Sequence, residues 1–145
     1  MSTVYFLSEK EDNAILNAIA EAEKGTSGEI RVHFAKKISN GIFNDAKKTF
    51  ESLKMHQTEL RNGVLIYMVL SEKQFYILGD QGIHQCTGEV FWQSCKDIMQ
   101  EEFAKGNISQ GIIKGIEAVK DILKKEFPYS YDDKNELSNE ISKDH

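Results

Sequence analysis

VLIYMVLSEKQFYIL, residues 64–78, contains two strand-like runs joined by a short polar link. The first run, Val64 to Leu70, is apolar at every position, so both alternating faces of a strand would be buried. Such a strand belongs in the middle of a sheet with helices on both sides. The link Ser71-Glu72-Lys73 is short enough for a hairpin, which sets the second run, Gln74 to Leu78, antiparallel to the first. Upstream, Ile30, Val32 and Phe34 alternate with Glu29, Arg31 and His33, the period of a strand with one better-buried face. Between these strands Phe43, Ala46, Phe50 and Leu53 keep helical spacing and predict a helix from about Ile42 to His56. The order strand, helix, strand implies a right-handed crossover with the first two strands parallel.

The flanking segments supply the other helices. Ser8 followed by Glu9, Glu11 and Asp12 reads as a capped helix start, because a side-chain oxygen and nearby acids complement free backbone N–H groups. That helix runs to about Lys24, with Ile15, Leu16, Ile19, Ala20 and Ala22 apolar and Gly25 as the stop. Thr87 is the expected cap of a third helix, with Phe91, Cys95, Ile98, Met99 and Phe103 as its buried stripe and Gly106-Asn107 as its end. A fourth helix, from about Ser109 to Glu126, would bury Ile112, Ile116, Val119, Ile122 and Leu123. Gly111 and Gly115 share one of its faces, which calls either for close packing against a neighbour or for a poorly formed first turn. Pro128 stops it. The expected fold is therefore α/β, a three-layer α-β-α sandwich around a small mixed sheet in the order α-β-α-β-β-α-α. It occupies residues 8–127, and residues 128–145 form a polar, acidic tail expected to be solvated or loosely docked. Within the tail, Asp132 to Glu136 loosely resembles a calcium loop but lacks the glycine and closing glutamate of an EF-hand.

Composition narrows the function classes. A chain of 145 residues is one ordinary domain. Lysine and arginine number 18 against 23 acids, and the lysines are scattered in pairs, which argues against a surface that tracks nucleic-acid phosphates. The longest apolar run is far below the roughly 20 residues of a membrane span, so no membrane insertion is expected. The first residues, MSTVYFLSEKEDN, carry no basic leader, and a cytoplasmic location is the expectation. Cys86 and Cys95 fit neither CxxC redox nor zinc spacing and read as reduced thiols.

The topology brings three loops to one sheet edge: Gly25 to Glu29, Glu59 to Gly63, and Gly79 to His84, with Thr87-Gly88-Glu89 just beyond. A hard divalent cation would find oxygen ligands there in Glu29, Asn62, Asp80, Gln81 and Glu89. An anion would instead use glycine N–H groups, the third helix's N-terminus and Arg61. Plain turn chemistry accounts for the same residue types. His84 is the histidine in these loops and reads as a general acid, a ligand or a surface residue. His33 on its strand and His56 at a helix end read as structural, and no serine or cysteine sits in a nucleophile motif.

Ser27-Gly28-Glu29-Ile30-Arg31-Val32, Arg61-Asn62-Gly63-Val64-Leu65-Ile66, Ile77 to Ile83, and Phe103 to Asn107 through Gly111 to Gly115 resemble, in order and spacing, the TPM-domain family. That family includes thylakoid-lumen proteins of photosystem repair, an acetylcholine-receptor auxiliary protein and many bacterial proteins. The resemblance implies an α-β-α sandwich. It also implies binding of calcium or another divalent cation, or acid phosphatase activity, in loops at one sheet edge. The matching positions are Glu29, Asn62, Asp80 and Glu89. Two departures stand out: no signal peptide or anchor is evident, and His84 replaces the family acid after the third strand, a loss for which Asp80 can compensate.

Three functional readings follow. The first is a domain that binds calcium or magnesium at Glu29, Asn62, Asp80 and Glu89 in a binding or regulatory role. The second is a metal-dependent acid phosphatase with His84 donating a proton to the leaving group. The third is an interaction module that meets a protein partner through the tail or a sheet edge.

Overall fold

Burial along the whole of β2 (Gly63–Val69) makes it the structural centre. The computed structural model describes residues 5–128 and 141–144. Among these, β2 pairs in parallel with β1 (Glu29–Phe34) and antiparallel with β3 (Gln74–Gly79), and β1 pairs in parallel with β4 (Ile141–Lys143). The sheet order is β3-β2-β1-β4. Ile30, Val32, Phe34, Val64, Ile66 and Met68 project to one face. There they pack with α1 (Glu9–Glu23), α3 (Gln81–Ala104) and α4 (Ile108–Glu126). Leu65, Tyr67 and Val69 project to the other face, against Ala46 and Phe50 of α2 (Ile42–Ser52). The expected three-layer sandwich and its element order are present, with β4 added at one edge.

Local chemistry explains the boundaries. Ser8 and Glu11 form a reciprocal cap on α1, Glu11 N–H donating to Ser8 Oγ at 3.2 Å and Ser8 N–H to Glu11 Oε1 at 3.3 Å. The helix α2 is shorter than expected, because Lys54 turns left-handed at φ 61° and a separate 3-10 turn, Met55–Gln57, follows. The start of α3 also corrects the sequence reading. Asp80, not Thr87, caps it, and the Thr87 hydroxyl donates to Ile83 O at 3.1 Å inside the helix. A break at Gly88 (φ 73°, ψ −179°) then redirects the helix. Trp92, Cys95 and Met99 become its buried stripe, and Ile98 is left 40 % exposed. Burial pushes the Cys95 thiol up to about 11, so it is packing and not a nucleophile. Gly111 and Gly115 are close-packing glycines: a Cβ would fall 2.4 Å from Phe103 Cε1 and 2.5 Å from Met99 Sδ of α3.

Of the tail expected to be solvated or loosely docked, residues 141–144 are docked on β1. Ile141, Ser142 and Lys143 register with Val32, His33 and Phe34 of β1, and Asp144 N–H donates to Phe34 O at 3.1 Å. Ser142 Oγ and Asp144 Oδ1 each lie 2.8 Å from a ring nitrogen of buried His33, and Lys143 Nζ is 2.6 Å from Asp12. A strand of three residues with one large apolar side chain carries no readable period, so only these side-chain ties reveal it. The Asp132 to Glu136 run lies outside the described residues.

Burial holds the His33 pKa below its ordinary 6.5, with Asp144 pulling the other way. The folded state thus prefers the neutral ring, and the unfolded chain takes up the proton first as pH falls. The associated stability is present above about pH 6.5 and is lost as pH drops toward the folded value. Between about pH 7 and pH 5 the wild type should lose more thermal stability than His33→Gln, as measured by circular dichroism melts. Equal losses in the two proteins would remove His33 from the account.

Candidate functional site at the sheet edge

The starts of β1 and β2 and the end of β3 meet, as the topology requires: Glu29 registers with Gly63, and Val64 with Gly79. Backbone bonds tie the three segments together. Glu29 N–H donates to Asn62 O at 3.4 Å, Asp80 N–H to Gly63 O at 2.9 Å, and Gly82 N–H to Arg61 O at 2.9 Å. The 26–28 loop is pinned from outside, because Thr26 Oγ1 bonds Leu123 O at 3.0 Å and also Phe127 O, and accepts from Gly28 N–H at 3.0 Å. This edge is therefore rigid backbone carrying a few buried polar side chains.

Asp80 is the best-defined of them. Its carboxylate caps α3 by accepting from Gln81 N–H at 2.8 Å. It also receives Arg61 in a two-pronged pair, Nε to Oδ2 at 2.7 Å and Nη2 to Oδ1 at 3.0 Å. Asp80 is 6 % exposed at its side chain and Arg61 is 40 % exposed, so the guanidinium has room to leave. Asn62 is buried, its Nδ2 donating to Ser27 Oγ at 3.2 Å, while its Oδ1 has no hydrogen-bond partner. An unmet buried acceptor costs roughly 1–3 kcal/mol, which marks Asn62 Oδ1 as a place for a missing donor or cation. Glu29, buried at 3 % exposure, lies beside it on β1.

Other expected residues fall elsewhere. Glu89 is exposed on α3 beyond the Gly88 break and lines a separate depression with Phe75, Tyr76 and Trp92, so it does not join Glu29, Asn62 and Asp80. Gln81 and His84 are exposed on the first turns of α3, the His84 ring 5.4 Å from that of Trp92. His56, which reads as structural from its place at a helix end, lines a pocket of about 170 Å³ with Arg61, Gly79 and Asp80. Its Nδ1 is buried without a hydrogen-bond partner. Nothing in the spacing of His56 points to Asp80; only the fold joins them. Among the described residues no three histidine, cysteine or carboxylate side chains form a ready metal cluster. A cation at this edge would therefore rely on Glu29, Asp80 and the Asn62 carbonyl oxygen together, with Arg61 displaced.

The TPM domain matches residues 3–122. The chain belongs to the TPM domain family. This TPM domain is similar to the NMR structure of BA42 from the psychrophilic bacterium Bizionia argentinensis, with 45 % identity over 96 % of each chain and a TM-score of 0.90. It also shares the fold of the N-terminal domain of a P. gingivalis protein. That likeness is 18 % identical, covers 86 % of this chain and 82 % of the other, and has a TM-score of 0.69. No curated protein matches the TPM domain described here. Among its described residues no helix is long and apolar enough to cross a membrane.

Proposed function

We propose that this TPM domain binds a divalent cation, calcium or magnesium, at the β1-β2-β3 edge in a binding or regulatory role. The observation that carries the reading is the unpartnered Oδ1 of buried Asn62, on the edge that also holds the buried carboxylates of Glu29 and Asp80. Oxygen donors of these types suit a hard cation. Arg61 occupies the Asp80 carboxylate as an internal cation, so metal and guanidinium compete for it.

The test is a calcium and magnesium titration of metal-stripped protein followed by amide NMR, with calorimetry for affinity. Shifts should cluster on residues 26–29, 61–63 and 79–84. Arg61→Gln should tighten calcium binding about tenfold by freeing Asp80, and Asp80→Asn should weaken it by at least as much. Equal affinities in wild type, Arg61→Gln and Asp80→Asn would reject this siting. Metal-dependent acid phosphatase chemistry at the same edge is a second reading, favoured by Arg61, whose planar fork suits phosphoryl oxygens as well as a carboxylate. Its readout is metal-dependent turnover of an aryl phosphate that is lost in Asp80→Asn.

A further inference from the structure

At the opposite end of the sheet, the α2-side face is only half covered. The helix α2 packs on β2 and β3, and leaves Arg31 and His33 of β1 and Ser142 of β4 at the base of a cleft of about 980 Å³. The cleft extends past the carboxyl ends of β1 and β4, two adjacent parallel strands, which is where open α/β sheets bind their ligands.

Over the described residues its charge is mainly basic. Among the described residues Arg31, Lys36, Lys37, Lys48 and Lys143 line it against two acids, Asp45 and Asp144, and Lys143 is itself paired with Asp12 at 2.6 Å. Both acids are already engaged by backbone donors. Asp45 accepts from Ser39 N–H at 2.7 Å and Asn40 N–H at 3.0 Å, and Asp144 from Lys36 N–H at 3.0 Å. Lys37 and Lys48 have no acidic partner among the described residues. In a chain of net charge −5, the described lining of this concavity is a local reversal of sign, and concave low-dielectric walls strengthen such a field. The floor is flat and aromatic, with the His33 and Tyr67 rings stacked at 5.4 Å and 13°.

We propose that this cleft binds a small polyanion, a metabolite-sized molecule carrying two or more phosphate or carboxylate groups held by Lys37 and Lys48. The volume suits such a ligand, and the docked β4 lines one side of the cleft with Ile141, Ser142 and Lys143. The site is separate from the Asp80 edge and stands or falls without it.

The full chain is titrated with tripolyphosphate in one arm and citrate in the other, by calorimetry and amide NMR. Saturable binding is expected with shifts on residues 36–40, 45–49 and 142–144, and the arm that saturates identifies phosphate or carboxylate as the recognised group. Lys37→Gln/Lys48→Gln should weaken binding at least about tenfold with an unchanged melting temperature, since both side chains are exposed. Lys10→Gln/Lys96→Gln, with the same charge change at exposed positions that do not line the cleft, should bind as wild type, and so should Asp80→Asn. The proposal is overturned if neither probe saturates, or if the two double-lysine variants lose affinity equally.

Discussion

Gly82→Ala is expected to destabilise the domain by about 3 kcal/mol, at the upper end for overpacking, because the obstructing atoms belong to backbone and not to a flexible side chain. An added Cβ would lie 2.2 Å from Leu60 O and 2.6 Å from Arg61 O. That backbone has little freedom to retreat: Arg61 N–H donates to Thr58 O at 3.2 Å, and Asn62 N–H to Thr58 Oγ1 at 3.3 Å. The strain would fall on the seat of Arg61 and Asn62 at the candidate cation edge. A urea unfolding curve should show the lower midpoint with an unchanged slope. A midpoint equal to wild type would mean that the first turn of α3 does not rest on this loop.

Phe34→Ala should have an effect as large or larger, about 3–5 kcal/mol, the range for removing a buried aromatic ring. Phe34 is fully buried in β1, opposite Met68 of β2 and Lys143 of β4 in register, and belongs to the cluster beneath α1 and α4. Against a total stability of about 5–15 kcal/mol for a domain, such a loss leaves little margin. Phe43→Ala is the comparison, since Phe43 is 47 % exposed and its removal should change stability by no more than about 0.5 kcal/mol. Calorimetric melts of the two variants measure the contrast, and similar losses would refute the assigned burial.

These two residues also mark what was legible in the sequence. Phe34 was readable: strict alternation through β1 assigned its face, and the doubly apolar β2 required helices on both sides of the sheet. Gly82 was misread. Gly79 and Gly82 punctuate the sequence as a loop, yet neither has a positive φ. Each is small so that something can approach closely, the Trp92 ring at Gly79 and the Leu60-Arg61 backbone at Gly82. A glycine used for closeness and one used for turning look identical in a sequence, so the helix start moved from Thr87 to Asp80. The candidate edge was half legible. Topology brought the segments carrying Glu29, Asn62 and Asp80 to one edge, but the Arg61 guanidinium on Asp80 and the entry of His56 depend on side-chain geometry, which carries no spacing signal. The β4 strand and its basic cleft were not legible, since the strand is held by His33, Asp12 and the β1 backbone more than by its own pattern.

The pairing of β1 with β4 also sets a timetable. His33 and Ser142 are 109 residues apart. At ribosomal speeds of about 5–20 residues per second, β1 waits roughly 5–20 seconds for the strand that covers its edge. During that interval the nascent chain presents an open row of backbone N–H and C=O groups, the kind of edge on which neighbouring chains pair and aggregate. The vulnerable species in synthesis is therefore a sandwich in which β1 still lacks β4.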